Sequence, residues 1–332
     1  MQAQVPMDPY TGLWARIDNF RPEKLGRLIQ EREAVRMPLM RTTVHLVSAP
    51  DALMLRPLFQ PVLTRTLRST QFGKDVAGME MEPLLTAALA LVEERPRTKR
   101  ELRQLLGPLW PDRNASSMVQ AVHYLMPLLQ VPPRGVWGAR GEPRWTTARA
   151  WLGRDPDPDP SPDEMVQRYL GAFGPAGVMD VQAWCGLTKL GEVVERLKPR
   201  LRTFRNERGR ELFDLPDAPR PPADTPAPVR FLPEYDNVLL SHADRSRFDP
   251  GDHPPLASGR GGFFAMALID GRGGAIWSLR RSGAAADLLV EPFVKLSRAQ
   301  HAELEEEAAS LMAFLAADAA TQEIRVIPIP RL

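Results

Sequence analysis

Two glutamines one residue apart, Gln2 and Gln4, open the chain with Ala3 between them. In an extended segment residues i and i+2 point the same way, so the two amides would converge on one water. In a helix they would diverge by roughly 200°. A neutral amide is a poor base and cannot drive hydrolysis of an unactivated bond by taking a proton. Two amides can position a water and stabilise developing positive charge, which is enough where the leaving group is already cationic and needs no general acid. The plain alternative is a solvated tail.

A second candidate set follows in Met40-Arg41-Thr42-Thr43-Val44-His45-Leu46-Val47. Its later residues alternate, so Thr43, His45 and Val47 share one face and Val44 and Leu46 the other. Arg41, Thr43 and His45 suit a phosphate or sugar contact; a packed strand histidine is the bland counterpart. Arg97, Lys99, Arg100 and Arg103 form the densest local basic cluster, at the start of an expected helix, with a solvated helix face as its alternative. Between Glu234 and Arg245 lie Asp236, Asn237, His242 and Asp244. Asp and His there could ligate a cation, but turns that bond their own backbone fit better, with Arg245 near phosphate. No metal and no organic cofactor is expected. The single cysteine, Cys185, rules out an internal disulfide and reads as a core residue of a reducing compartment. Gly261-Gly262 and Gly273-Gly274 read as turns, not phosphate loops.

The balance of charge narrows the partners. Lys and Arg total 43 against 41 Asp and Glu, a net of +2, and the basic residues are 37 Arg and 6 Lys. Arginine-rich usage follows from a GC-rich genome, and it also suits bidentate phosphate recognition. Acidic residues concentrate in 155–163 and 303–307, so the rest of the chain is basic enough for a positive face. No apolar run is long enough to span a bilayer, and no signal peptide is apparent. A cytoplasmic monomer with no membrane partner is expected.

These residues need a frame. The 332 residues contain 34 prolines, clustered at 154–162 and 216–228, where neither helix nor central strand can continue. The first segment, 1–79, carries a helix over 22–29, a strand through 44–47 and a helix opened by Ser48. The second, 80–154, shows helices at 84–94, 101–106 and 116–129, then strands at 131–137 and 143–147; Thr98 and Glu101 form a capping-box pattern. The third, 161–222, repeats the order with helices at 163–173, 180–185 and 190–197 and a hairpin at 201–214. Three helices then a hairpin is the order of a winged helix-turn-helix. From 228 to 332 the pattern is a β-rich domain with strands near 229–232, 262–269, 275–280 and 288–293, one helix over 298–316, and a closing strand at 324–329.

Three stretches carry a resemblance. Gln2-Ala3-Gln4 through Leu13-Trp14, the Arg41-Thr42-Thr43-Val44-His45-Leu46 run, and Phe231-Leu232-Pro233-Glu234-Tyr235-Asp236-Asn237-Val238-Leu239-Leu240-Ser241-His242-Ala243-Asp244-Arg245 resemble a bacterial winged-helix family. That family includes the AlkZ-like alkylpurine DNA glycosylases, whose Gln-apolar-Gln motif sits at the active site. The resemblance implies an α+β fold of three tandem winged-helix units, the first truncated at its N-terminus, before a small β-rich C-terminal domain. It implies double-stranded DNA as partner, with a nucleoid-associated location. It also implies hydrolysis of the N-glycosidic bond of alkylated purines, bulky or crosslinked ones included. Gln4 would position water and Gln2 support it, while the basic residues and His45 hold phosphates. A non-catalytic DNA-binding regulator, or a protein-interaction module, would use the same scaffold.

Overall fold

Alternation of apolar and polar side chains builds the sheet on which the candidate residues lie. In the computed structural model, which describes residues 1–248 and 264–329, strands β1 (Ala34–Pro38), β2 (Val44–Ser48), β3 (Leu128–Val131) and β4 (Arg144–Thr147) form an antiparallel sheet in the order β2-β1-β3-β4. Val35 and Met37 of β1 and Leu129 and Val131 of β3 enter one core with Met165, Tyr169 and Cys185. Arg36 and Gln130, which are register partners, turn to the opposite face. Across β3 and β4, Leu128 and Trp145 join a second core with Leu84, Leu102, Leu106, Met118 and Val122. The sheet therefore unites strands from two segments that the sequence had separated at residue 79.

Helix ends follow local chemistry. Thr98 and Glu101 close the expected capping box on the Lys99–Leu106 helix. Asn114 accepts from the backbone of Ser116 and Ser117 to start Ala115–Leu125. That helix ends four residues before the expected limit, because Pro127 pushes Met126 into extended backbone and Leu129 becomes a strand residue. The expected strand from 131 to 137 likewise survives only as the end of β3, since Pro132 and Pro133 offer no donors to a ladder. Helices Pro162–Phe173, Val178–Cys185 and Gly191–Leu197 precede the hairpin of β5 (Arg202–Arg205) and β6 (Glu211–Asp214), in the expected order.

By contacts the chain divides into two units, residues 1–7 with 21–218, and residues 8–20 with 219–332. In the second unit β7 (Arg230–Leu232), β8 (Ala265–Ile269), β9 (Arg272–Ser282), β10 (Ala285–Pro292) and β11 (Thr321–Val326) make a sheet in the order β11-β10-β9-β8-β7. Only the β10–β11 pair is parallel, joined by the Arg298–Leu315 helix, which buries Leu304, Leu311 and Met312 on the sheet. The Asp8–Trp14 helix belongs here; Trp14 stacks on Phe314 at 5.7 Å. His253, the Gly261-Gly262 turn and the first residues of the strand expected from 262 lie outside the described residues. Among the described residues no helix is long and apolar enough to cross a membrane.

Candidate active site

The opening residues are held as an extra strand along β2. The Ala3 amide donates to the Val44 carbonyl at 2.7 Å, the Leu46 amide to the Met1 carbonyl at 2.8 Å, and Gln2 bridges His45. Gln2 and His45 thus face the same side, and both are buried. Gln2 Oε1 accepts from Arg41 Nη2 at 2.8 Å, and Arg41 Nη1 donates to the Trp184 carbonyl. His45 Nδ1 donates to the Thr43 carbonyl at 2.9 Å; burial holds the imidazole well below its ordinary pKa, so it is neutral. Thr43 Oγ1 donates to the Met40 carbonyl.

Gln4 behaves differently. The chain bends after Ala3, and the exposed Gln4 side chain turns to the other face, where its Oε1 accepts from the Val44 amide at 3.3 Å. There it lines a cavity of about 540 Å³. The sheet supplies Arg36, Pro38, Val44, Gln130 and Trp145 to the lining, the capped helix Lys99, Arg100 and Arg103, and the Ala115–Leu125 helix Gln120, His123 and Tyr124. Arg134 and Glu142 complete it from the β3–β4 connection, and Glu142 is the one acidic residue in that lining.

The electrostatics are those of a positive hollow. Arg36 is buried and its Nη2 donates to the Ala3 carbonyl at 2.7 Å, which ties the Gln-bearing segment to β1. Lys99 donates to Gln120 Oε1 at 2.8 Å and lies 5.6 Å from the Trp145 ring centroid. Burial, then the charge of Arg103, lowers its pKa below the usual amine range. His123 meets Trp145 edge-on at 4.4 Å, and burial, helped by Lys99 and Arg56, pushes it down to about 3. The imidazole is therefore neutral near pH 7.

Of the residues singled out in the sequence, the fold brings Gln4, Lys99, Arg100 and Arg103 together at one cavity. Gln2, Arg41, Thr43 and His45 lie behind the sheet with internal partners, and solvent does not reach His45. Arg97 is also buried: its side chain donates to Glu94 and to the Leu91 carbonyl, and its backbone bridges Trp145. Arg245 is exposed in the second unit, on a turn that Asp244 caps through the Ser246 amide. In the same segment Asp236 accepts from the Val238 amide and from Arg16 at 2.7 Å. No group of three His, Cys, Asp or Glu is placed to hold a metal among the described residues. Arg36, His123, Gln130, Arg134, Glu142 and Trp145 carry no signature in the sequence, because the fold gathers them from four separate stretches.

An amide on the wall of a hollow ringed by arginine and lysine is an arrangement suited to a nucleic-acid substrate, and the chain belongs to the AlkZ-like DNA glycosylase family, which it matches over residues 1–314. It is similar to an interstrand DNA cross-link repair glycosylase of Streptomyces sahachiroi, with 25% identity over 171 residues. That alignment covers 47% of this chain and 43% of the relative, less than half of its length. Among solved structures it is similar to the Streptomyces sahachiroi DNA glycosylase AlkZ, with a TM-score of 0.71 and 21% identity over 98% of this chain and 91% of that one. The mixed α+β fold is thus that of this family.

Proposed function

We propose that the chain is a DNA glycosylase that hydrolyses the N-glycosidic bond of alkylated purines in duplex DNA, bulky or crosslinked adducts included. The observation that carries this reading is the position of Gln4 on the wall of a cavity lined by Arg36, Lys99, Arg100, Arg103 and Arg134. In this account the three helix-then-hairpin segments act as tandem winged helices, and the basic residues hold phosphates on either side of the lesion.

A purine alkylated at N3 or N7 already carries positive charge, so it can depart without a general acid. The remaining task is to hold a water near the sugar C1′ and to stabilise oxocarbenium-like charge. Gln4 Oε1 spends one lone pair on the Val44 amide and keeps a second for a water proton. Gln2 acts by tying the N-terminal segment from which Gln4 projects to the Arg41 turn, since its own amide is engaged by Arg41. A neutral amide of this kind leaves ordinary nucleotides intact, because their bases are poor leaving groups.

Duplex DNA carrying N7-methylguanine tests the proposal directly. The parent chain should release the free base, and Gln4→Ala should lower the single-turnover rate at least a hundredfold without loss of DNA affinity. Salt-dependent DNA binding with no base release would overturn the enzymatic reading and favour a non-catalytic DNA-binding protein on the same scaffold.

A further inference from the structure

Two residues that line the cavity each carry a buried polar atom without a hydrogen-bond partner among the described residues. Gln130 is 7% exposed and Trp145 is 4% exposed, both line the cavity, and they stand directly opposite each other in the β3–β4 ladder. Gln130 Oε1 and Trp145 Nε1 are buried atoms with no hydrogen-bond partner among the described residues. Native interiors contain few such groups, because a buried polar atom loses water and gains nothing in return. The residues that carry this acceptor and this donor stand on one wall of the hollow that Gln4 lines, next to the register partner Arg36, so a ligand there would reach them by a side-chain rotation.

Apolar residues of similar size would pack at those positions without that cost, so the polarity calls for a ligand that completes it. Resting on the glycosylase reading above, we propose that Gln130 and Trp145 form the recognition edge for an unstacked purine base. A side-chain amide presents an acceptor and a donor in one plane, the pattern that bidentate purine recognition needs. It matches adenine through N6–H and N7, and guanine through N1–H and O6. Alkylation at N3 leaves the first edge intact and alkylation at N7 the second. The indole N–H adds a donor for a purine ring or exocyclic acceptor. His123, edge-on to Trp145 and neutral, fixes the indole plane without adding charge beside a cationic base. The guanine N1–H and O6 are engaged in base pairing in a duplex, so reading that edge requires the base to leave the stack.

Gln130→Met keeps the side-chain volume and removes both hydrogen-bonding groups, so it separates recognition from packing. With N7-methylguanine duplex the variant should lose at least tenfold in single-turnover base release. Its affinity for undamaged duplex should stay within twofold of the parent, and its melting temperature should hold or rise, since an unsatisfied buried amide has gone. Free 7-methylguanine added as competitor should inhibit the parent more strongly than the variant. Unchanged release and unchanged inhibition would overturn the recognition role while leaving the glycosylase reading intact. A lowered melting temperature with parallel loss of undamaged-DNA affinity would overturn it in favour of a structural role. A parent chain that releases no base would overturn both proposals together.

Discussion

Arg41 donates to Gln2 Oε1 at 2.8 Å while its other nitrogen reaches the Trp184 carbonyl. The pair clamps a turn in which Arg41 and Thr42 both have positive φ, 53° and 63°, a strained conformation for residues with side chains. One residue further along from Ala3, Gln4 faces the cavity instead. Two glutamines of identical chemistry thus stand on opposite faces of one sheet, one bonded to the Arg41 turn and one lining the cavity.

The two glutamines should separate under mutation. Gln2→Ala leaves the half-buried Arg41 guanidinium short of an acceptor, a loss of about 1 kcal/mol, and should lower the melting temperature as well as activity. Gln4→Ala touches an exposed side chain and should change stability by roughly 0.5 kcal/mol at most. Thermal unfolding of both variants beside base-release assays checks this; equal destabilisation by the two would contradict the division of roles.

Arg100 and Arg103 are exposed and line the cavity from the first turns of the capped helix. If each neutralises one phosphate, alanine at either position should reduce the slope of log K against log salt by about 0.9. Fluorescence anisotropy on undamaged duplex across a salt series measures this. A weaker affinity with an unaltered slope would show that neither arginine meets the backbone.

Asp8, in the second unit, is pushed up to about 8 by burial and then by the neighbouring charges of Glu234 and Asp236. Its folded pKa lies above the unfolded value, so its contribution to stability is complete below about pH 4 and is lost as pH rises through about 8. Asp8→Asn should therefore gain on the parent as pH increases, by an amount of the order of a few kcal/mol between pH 5 and 9. Melting curves across that range decide it, and a constant offset between the two proteins would contradict the burial of a protonated Asp8.

Local chemistry was readable from the sequence where it is self-contained. The Thr98–Glu101 capping box, the Ser48 cap and the helix-then-hairpin order over 161–222 depend only on neighbouring residues, and the fold contains them. Other elements were hidden. β1 reads as an irregular run because Arg36 and Pro38 interrupt its apolar residues, and only the paired strands β2 and β3 give those positions meaning. The Gln60–Ser69 helix opens with Pro61 in its first turn, where a proline looks like a break. For the candidate site, Gln4 could be picked through the family resemblance of its segment, and the Lys99–Arg103 cluster by type and spacing. Gln130, His123 and Trp145 could not, since an amide, an imidazole and an indole on apolar elements look like ordinary core residues until the hollow between them exists.

The chain leaves the unit that holds Gln4 between Met7 and Asp8, returns between Phe20 and Arg21, and departs again after Ala218. Four residues past Gln4 the backbone is already committed to the other unit, whose core receives Trp14. No single cut yields either unit whole. A deletion of everything after Ala218 would leave the Asp8–Trp14 helix without the core that receives Trp14, a few residues from Gln4, so gene fusions, domain shuffling and expression of fragments all meet a thread that has to be inherited in one piece.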